Sequence, residues 1–329
     1  MIYEKMLQTE NSDSLRTAWT EYREKLTGYV YNCVEDYYRR VYLAASGKLR
    51  SHTFSLPQYL ADTDIKPVIA IWGAGRCNDI DLKRLAEIAK LVLIDREIEW
   101  VEQAKKRYFL TDEQCVCVDV GFWEIYEEEE QYFEKLLLQG DDEHLSLYLK
   151  QLMDSISEQI PEYLEYGKIF DFSVVCGVAS QLNARFAAML HIYETDRKAY
   201  PNTVEMLRRM NHQASKKLYD AVAETTKTFL ICANELYAGL PQKVDALSEY
   251  ADQWTEDWEM HLHTKEIKSS DAFCQVAGSR EFIQEIERSQ REGSLEIRHR
   301  CGMVWPFSQE KCYLMDVLTA QFVNKIKKI

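Results

Sequence analysis

The sequence predicts an α/β fold around a mostly parallel sheet, and two patterns in the 329-residue chain support this prediction. Five short apolar runs of the buried-strand type alternate with longer segments of helical periodicity. Such alternation favours right-handed β-α-β crossovers, which place successive strands parallel in one sheet. Two further runs, 295–305 and 312–323, predict an antiparallel pair at one edge. We therefore expect seven strands, of which the last is antiparallel.

Apolar spacing and turn residues locate the individual elements. The predicted strands are 68–73, 91–95, 116–121, the first half of 171–182, 228–236, 295–305 and 312–323. The predicted helical segments between them are 82–89, 98–108, roughly 124–166, two pieces separated near Pro201, and most of 242–292. Each interval between parallel strands is long enough for a crossover helix.

A long amphipathic helix is expected before the first strand. Apolar residues recur every three or four positions from Leu15 to Tyr37, and several are aromatic, including Trp19 and Tyr22. This stripe either packs into the core or forms a lid whose rings face a ligand. It could also pair with a second copy, which would give a homodimer. Residues 1–65 are accordingly assigned to a helical cap or lid segment, and residues 66–329 to a sheet domain with helical insertions.

Composition narrows the class of protein. The formal charge of −14 and pI near 5.1 disfavour a nucleic-acid partner, because such a surface repels phosphates. Nine cysteines, odd in number and without a CxxC motif, indicate reduced thiols and a cytoplasmic protein. No apolar run approaches the length of a membrane span, and MIYEKMLQTE lacks the features of a signal peptide. We therefore expect neither a membrane partner nor a secreted protein.

A glycine turn after the first strand is the main functional signal. VIAIWGAGRCND (68–79) ends in Gly73-Ala74-Gly75, and glycines at this position let a ligand approach the backbone closely. Asp95 ends the second strand, where its two oxygens could accept hydrogen bonds from ribose hydroxyls. Asp119 ends the third strand and could accept from an adenine amine. The pattern favours an adenosine-containing ligand.

The residues after the glycines distinguish two such ligands. A dinucleotide loop wants a third glycine where Asn78 stands, and Asp79 would lie at a helix N-terminus beside the pyrophosphate. S-adenosylmethionine carries no phosphate and has a positive sulfonium, so acidic residues near the loop suit it. An NAD-dependent oxidoreductase is the weaker reading. A third interpretation is that the glycine turn is structural and binds no ligand.

Together these features resemble the class I, Rossmann-like S-adenosylmethionine-dependent methyltransferases. GAGRCNDIDL and LVLIDRE look like a poorly characterised bacterial branch, as do GVASQL (177–182), the helix around His212 and a Trp-Pro-Phe turn; the resemblance covers roughly 66–323. It implies S-adenosyl-L-methionine as the cofactor, bound by Gly73, Ala74, Gly75, Asn78, Asp95, Arg96, Asp119, Val120, Cys176 and Gly177. The chain departs from the family pattern at Ile71, where an acid is usual, and at Cys77, where glycine is usual.

Methyl transfer is an in-line displacement that needs alignment more than a catalytic group. No catalytic residue is therefore predicted. Gln181, His191 and His212 are candidate contacts for a small-molecule or peptide acceptor, although Gln181 could be only a helix cap and the histidines only structural. No metal is expected, since His261-x-His263 falls in a helix-like segment without a third ligand. The departures leave a non-catalytic, methyltransferase-like binding protein as the alternative.

Overall fold

The computed structural model describes residues 19–46, 54–121, 123–158, 169–193, 200–240, 242, 244–260, 273–307 and 311–323. The helices are α1 (Thr20–Ser46), α2 (Leu56–Thr63), α3 (Leu82–Ala86), α4 (Ile98–Arg107), α5 (Glu127–Gln139), α6 (Asp142–Glu158), α7 (Ala184–Ile192), α8 (Pro201–Thr225), α9 (Val244–Glu259) and α10 (Ser279–Arg291). The strands are β1 (Val68–Trp72), β2 (Lys90–Asp95), β3 (Cys115–Asp119), β4 (Phe170–Cys176), β5 (Thr226–Gly239), β6 (Phe273–Gln275), β7 (Leu295–Trp305) and β8 (Cys312–Phe322).

The strands form one sheet in the order β3-β2-β1-β4-β5-β8-β7, with β6 paired to β5 off this path. The first five strands are parallel, and β8 lies antiparallel between β5 and β7. This arrangement confirms the predicted mostly parallel, Rossmann-like α/β fold with an antiparallel last strand. In such a sheet a ligand site is expected where the carboxyl ends of β1 and β4 diverge.

Two predicted helical stretches differ from the structure. The stretch around 124–166 is interrupted at Gly140, which adopts φ 75° and ends α5. A left-handed residue of this kind terminates a helix, so α6 starts separately. The segment 242–292, predicted to be mostly helical, contains β6, which pairs antiparallel with the end of β5, so the described sheet has eight strands rather than the expected seven. Three residues carry too little periodicity to be recognised as a strand.

Helices cover both faces of the parallel strands, and alternate residues supply the two cores. In β1, Ile69 and Ile71 belong to the core shared with α1 and α2, whereas Ala70 and Trp72 belong to the core shared with α5–α8. This alternation follows from the two-residue period of a strand. Because both faces are buried, the strand sequences read as nearly continuous apolar runs.

The predicted helix before the first strand is α1, and its stripe packs into a core. Trp19, Tyr22, Leu26, Val30 and Val34 are all buried, at the three- and four-residue spacing of one helix face. The described part of the stripe therefore contributes to packing, while Leu15 lies outside the described residues. The homodimer expected through this helix stays a prediction.

Candidate cofactor site

A cavity of about 490 Å³ opens at the carboxyl ends of the parallel strands. The segments that follow β1, β2, β3 and β4 all line it, as expected for the point where strand order reverses. Trp19, just before α1, and Trp305 and Phe307, from the end of β7 and the turn after it, complete the wall. The cavity volume lies in the range typical of small-molecule sites.

The loop after β1 has the backbone conformation of a ligand-binding glycine turn. Gly73 and Gly75 adopt φ 62° and 47°, and a Cβ on Gly73 would lie 2.5 Å from Val178 Cγ2. Cys77, where the family pattern has glycine, also adopts a left-handed φ of 47°. Its buried Sγ donates to the Ala74 carbonyl at 3.2 Å. The turn thus keeps a glycine-like backbone at Cys77 without the glycine.

Side chains from α1 and α4 hold this loop in place. Arg107 donates through Nη1 to Asn78 Oδ1 at 2.9 Å and through Nη2 to the Arg76 carbonyl at 2.5 Å. Arg23 Nε donates to the Asn78 carbonyl at 2.6 Å. Thr27 Oγ1 accepts from the backbone amide of Asp81 at 2.9 Å. The loop is therefore fixed from two sides before any ligand binds, which lowers the entropic cost of binding.

Asp95 lies at the end of β2 with its carboxylate against the glycine loop. Oδ2 accepts from the Gly75 amide at 2.8 Å, and Oδ1 accepts from the Glu97 amide at 2.9 Å. A carboxylate has about four lone-pair sites, so each oxygen keeps capacity for one more donor. Trp100, with the Arg76 guanidinium 5.0 Å from its ring centroid, also lines this end of the cavity. This end offers a polar anchor beside a flat aromatic surface.

The structure brings most of the predicted site residues together. The cavity is lined by Gly73, Ala74, Gly75, Asn78, Asp95, Arg96, Val120, Cys176, Gly177 and Gln181. Asp119 pairs in register with Asp95 but is exposed and does not line the cavity. His191 and His212 are exposed on α7 and α8 and do not line it either; His212 Nε2 lies 4.0 Å from Glu285 Oε1. His261 and His263 lie outside the described residues.

Two further carboxyls lie near the glycine loop and the end of β4. Asp79 lines the wall, and its burial raises its pKa to about 6 despite its own backbone amide and the Arg23 charge. Glu235, from the middle of β5, is buried behind Gly177, whose Cβ would lie 3.1 Å from Glu235 Oε1. Burial raises the pKa of Glu235 as well. Ser279 Oγ donates to Glu235 Oε2 at 3.1 Å, which ties this carboxyl to α10.

Three aromatic residues, Trp19, Trp305 and Phe307, form what we call the aromatic wall of the cavity. The Trp19 ring centroid lies 4.9 Å from that of Trp305 and 5.6 Å from that of Phe307. Trp19 Nε1 also donates to the Phe307 carbonyl at 3.0 Å. Trp305 Nε1 is buried and has no hydrogen-bond partner among the described residues. Tyr22 stacks on Trp305 with centroids 5.3 Å apart.

The remaining wall comes from the segments that follow β3 and β4. Trp123 Nε1 donates to Asn183 Oδ1 at 2.9 Å, and Asn183 Nδ2 donates to Asn211 Oδ1 at 2.9 Å. Arg185 Nη1 lies 2.9 Å from Glu130 Oε2, and both residues line the cavity. These bonds place the start of α7 against the cavity and pair the Arg185 cation with a carboxylate.

The protonation state of the two cavity cysteines, Cys77 and Cys176, argues against covalent catalysis by either thiol. Burial, followed by the nearby Asp79 charge, raises the pKa of both Cys77 and Cys176 well above the usual range of a thiol. Their sulfurs are therefore neutral thiols near pH 7, and the thiolate is the nucleophilic form.

Among the residues that the structure describes, no group of three His, Cys, Asp or Glu side chains could hold a metal ion. None of the described helices is long and apolar enough to cross a membrane.

No family model and no curated protein matches this sequence. Solved structures similar to it are S-adenosylmethionine-dependent methyltransferases. One from Methanosarcina mazei has 10% identity and a TM-score of 0.37 over 78% of this chain and 93% of its own. The N-methyltransferase NodS from Bradyrhizobium japonicum, in complex with S-adenosyl-L-homocysteine, has 12% identity and a TM-score of 0.33 over 81% and 83%. One from Clostridium acetobutylicum has 10% identity and a TM-score of 0.33 over 87% and 98%. Likeness at this level does not transfer an activity to this chain.

Proposed function

We propose that this chain binds S-adenosyl-L-methionine and transfers its methyl group to a small-molecule or peptide acceptor. The observation that carries the proposal is Asp95, whose carboxylate lies at the carboxyl end of β2 against the Gly75 amide and inside the cavity. A ribose placed there meets two acceptor oxygens with unused lone pairs. Trp100 and Val120, at the same end of the cavity, supply apolar surface for a purine ring.

The carboxyl group beyond the glycine loop favours this cofactor over a dinucleotide. Asp79 lines the wall beyond the glycine loop, where a pyrophosphate would meet its carboxyl group. S-adenosylmethionine carries no phosphate, so it brings no pyrophosphate charge against this carboxyl. Arg96 and Glu97, which lie 3.7 Å apart, pair with each other beside the ribose position. The Asp79 carboxyl therefore disfavours a dinucleotide, and S-adenosylmethionine is the better fit to the cavity.

Methyl transfer mainly requires that the protein align the cofactor with the acceptor and exclude water. When bound, the cofactor supplies an activated methyl group. The rigid glycine loop and the start of α7 would fix the direction of attack, and an aligned, desolvated encounter can account for much of a rate enhancement. Neutral Cys77 and Cys176 thiols fit a reaction without a covalent enzyme intermediate. A proton acceptor is needed only when the attacking atom still carries a proton.

Calorimetric titration with S-adenosylmethionine, S-adenosylhomocysteine and NAD tests the proposal. We expect the first two to bind with dissociation constants below about 1 mM and NAD not to bind. Asp95→Ala should weaken S-adenosylhomocysteine by roughly tenfold to a hundredfold, because hydrogen bonds to a charged group contribute about 1.5–3 kcal/mol. Asp119→Ala, one strand away, should change affinity much less because its side chain lies outside the cavity. NAD binding without S-adenosylhomocysteine binding would refute the proposal.

Activity is a separate outcome from binding. A peptide and small-molecule acceptor screen with radiolabelled methyl groups measures transfer directly. If the cofactor bound as expected and Asp95→Ala left the cellular phenotype unchanged, a non-catalytic binding protein would be the better description. That alternative is motivated by Ile71, which is buried in the core where the family pattern has an acid.

A further inference from the structure

We propose that the end of the cavity formed by Asp79 and the aromatic wall is a subsite for an organic cation, and that the methyl acceptor is an amine bound there as its ammonium. The second half of this inference rests on the proposed methyl transfer. The first half concerns binding alone. Two features of different kinds meet at this subsite: aromatic rings and a carboxyl group.

The aromatic wall is suited to a cation. Trp19, Trp305 and Phe307 all line the cavity and contact one another, so their positions are fixed by packing. Trp19 and Trp305 are only 7% and 6% exposed, so the half-buried Phe307 is the most accessible of the three rings, and aromatic faces attract ammonium groups. Three preorganised rings also bind at a low cost in side-chain entropy. An aliphatic neutral ligand would gain only the burial of its apolar surface here.

Asp79 adds the charge that such a ligand requires. Its carboxyl lies on the same side of the cavity as α1, within electrostatic reach of Tyr22 and Arg23, and Tyr22 stacks on Trp305. The other groups that sense its charge are Cys77, Cys176 and Glu235, none of which is a cation. Partial burial makes the ionised carboxylate costly in the empty cavity. A bound ammonium would remove that cost, so Asp79 and a cation favour each other.

The alternatives fit the residues less well. An anionic acceptor would face Asp79, while two of the arginines that line the cavity are already paired with carboxylates, Arg185 with Glu130 at 2.9 Å and Arg96 with Glu97 at 3.7 Å. A neutral aromatic acceptor would stack on the rings without using the carboxyl. An amine bound as its ammonium uses both the aromatic rings and the carboxyl.

The chemistry balances with the groups present. The ammonium gives one proton to the Asp79 carboxylate, and this frees the nitrogen lone pair. That pair then forms the C–N bond to the methyl carbon while the S–C bond breaks and its electrons stay on sulfur. The products are the N-methylated ammonium and neutral S-adenosylhomocysteine, and Asp79 releases its proton to solvent after the products leave.

Choline and its neutral isostere 3,3-dimethylbutan-1-ol are the binding probes, followed by quenching of tryptophan fluorescence. Each is titrated into the full chain with and without saturating S-adenosylhomocysteine. We expect choline to bind about tenfold tighter than the isostere, the difference expected of one cation–π contact with a carboxylate nearby. We also expect choline to bind when S-adenosylhomocysteine is present. Equal affinities for the two probes, or competition between choline and S-adenosylhomocysteine, would overturn the proposal.

Variants separate this subsite from the cofactor site. Asp79→Asn should lower choline affinity about tenfold and leave S-adenosylhomocysteine affinity unchanged within a factor of about two. Glu97→Gln, which removes a carboxylate from the Asp95 end, is the matched control and should leave choline binding unaltered. Phe307→Leu, on a half-buried ring, gives a second route to a choline defect if Asp79→Asn misfolds. Loss of S-adenosylhomocysteine binding in Asp79→Asn would overturn the assignment, because Asp79 would then serve the cofactor.

The two proposals can fail independently. If S-adenosylhomocysteine does not bind, methyl transfer is refuted, yet choline against its isostere still tests cation recognition on the empty protein. If S-adenosylhomocysteine binds and choline shows no preference, methyl transfer stands and the amine acceptor is refuted.

Discussion

Asp79→Asn should stabilise the protein at neutral pH in the absence of ligand. Burial raises the pKa of Asp79 from 3.8 to about 6. At 1.36 kcal/mol per pKa unit, the ionised carboxylate then costs the folded state up to about 3 kcal/mol relative to a neutral group. The unfolded state loses this proton at a lower pH than the folded state does. The free energy of unfolding therefore has its full value below the unfolded pKa and falls as pH rises through the folded pKa. Asparagine has nearly the same shape and stays neutral, so it avoids the loss.

Urea unfolding of the wild type and Asp79→Asn across the acid range measures this effect. We expect the two proteins to be equally stable below about pH 4, and the variant to gain progressively until the difference levels off above about pH 7. Asp119→Asn makes the same chemical change at an exposed position and serves as the control. A difference between wild type and variant that is independent of pH, or a variant less stable than wild type at pH 7, would show that Asp79 is not desolvated as described.

Three substitutions, two in the glycine loop and one at Arg107 on α4, test the geometry of the loop. Gly73→Ala should abolish cofactor binding and lower the unfolding temperature. A φ of 62° is strained for alanine, and the new Cβ would lie 2.5 Å from Val178 Cγ2. Wild-type cofactor affinity and unfolding temperature in calorimetry would contradict this expectation. Cys77→Gly should keep cofactor affinity and change stability by only about 1 kcal/mol, as relief of the left-handed φ offsets lost burial; a larger loss in urea unfolding would mean that the thiol is essential to the turn. Arg107→Lys should weaken cofactor binding nearly as much as Arg107→Ala does in the same titration. The planar guanidinium bonds both Asn78 Oδ1 and the Arg76 carbonyl, and one ammonium cannot do so. Wild-type affinity in Arg107→Lys would refute this expectation.

The parallel sheet could be predicted because its strands carry strong local signals. Runs such as VIAIW (68–72) are apolar throughout, and each is followed by a turn and a helical stretch. β6 could not be predicted, since its three residues become a strand only by pairing with the end of β5. The break at Gly140 was visible as a glycine, yet only the observed left-handed φ shows that it ends a helix.

Some residues of the candidate site could likewise be predicted from the sequence, and others could not. Asp95 could be predicted from its place at the end of β2, because that position follows from the fold. Glu235 could not, since it sits in the apolar run of β5 with no local feature that marks it as buried beside Gly177. Asp79 is acidic in the sequence, but its raised pKa depends on how the rest of the fold buries it. His212 looked suitable on a helix of the substrate side, and only its rotation on α8 shows that it faces away from the cavity.

The bond from Trp19 to the Phe307 carbonyl joins positions 288 residues apart and has a consequence for biosynthesis. On the ribosome, α1 emerges long before β7 and β8, so the nascent chain has the glycine loop but not the second half of the aromatic wall. The edge of β5 that receives β8 is mostly buried in the folded protein and stays unpaired until β8 is translated. Exposed strand edges of this kind invite misassembly and chaperone capture. Synthesis of β7 and β8, rather than folding of the parallel strands, is then the step that completes the wall of the cavity.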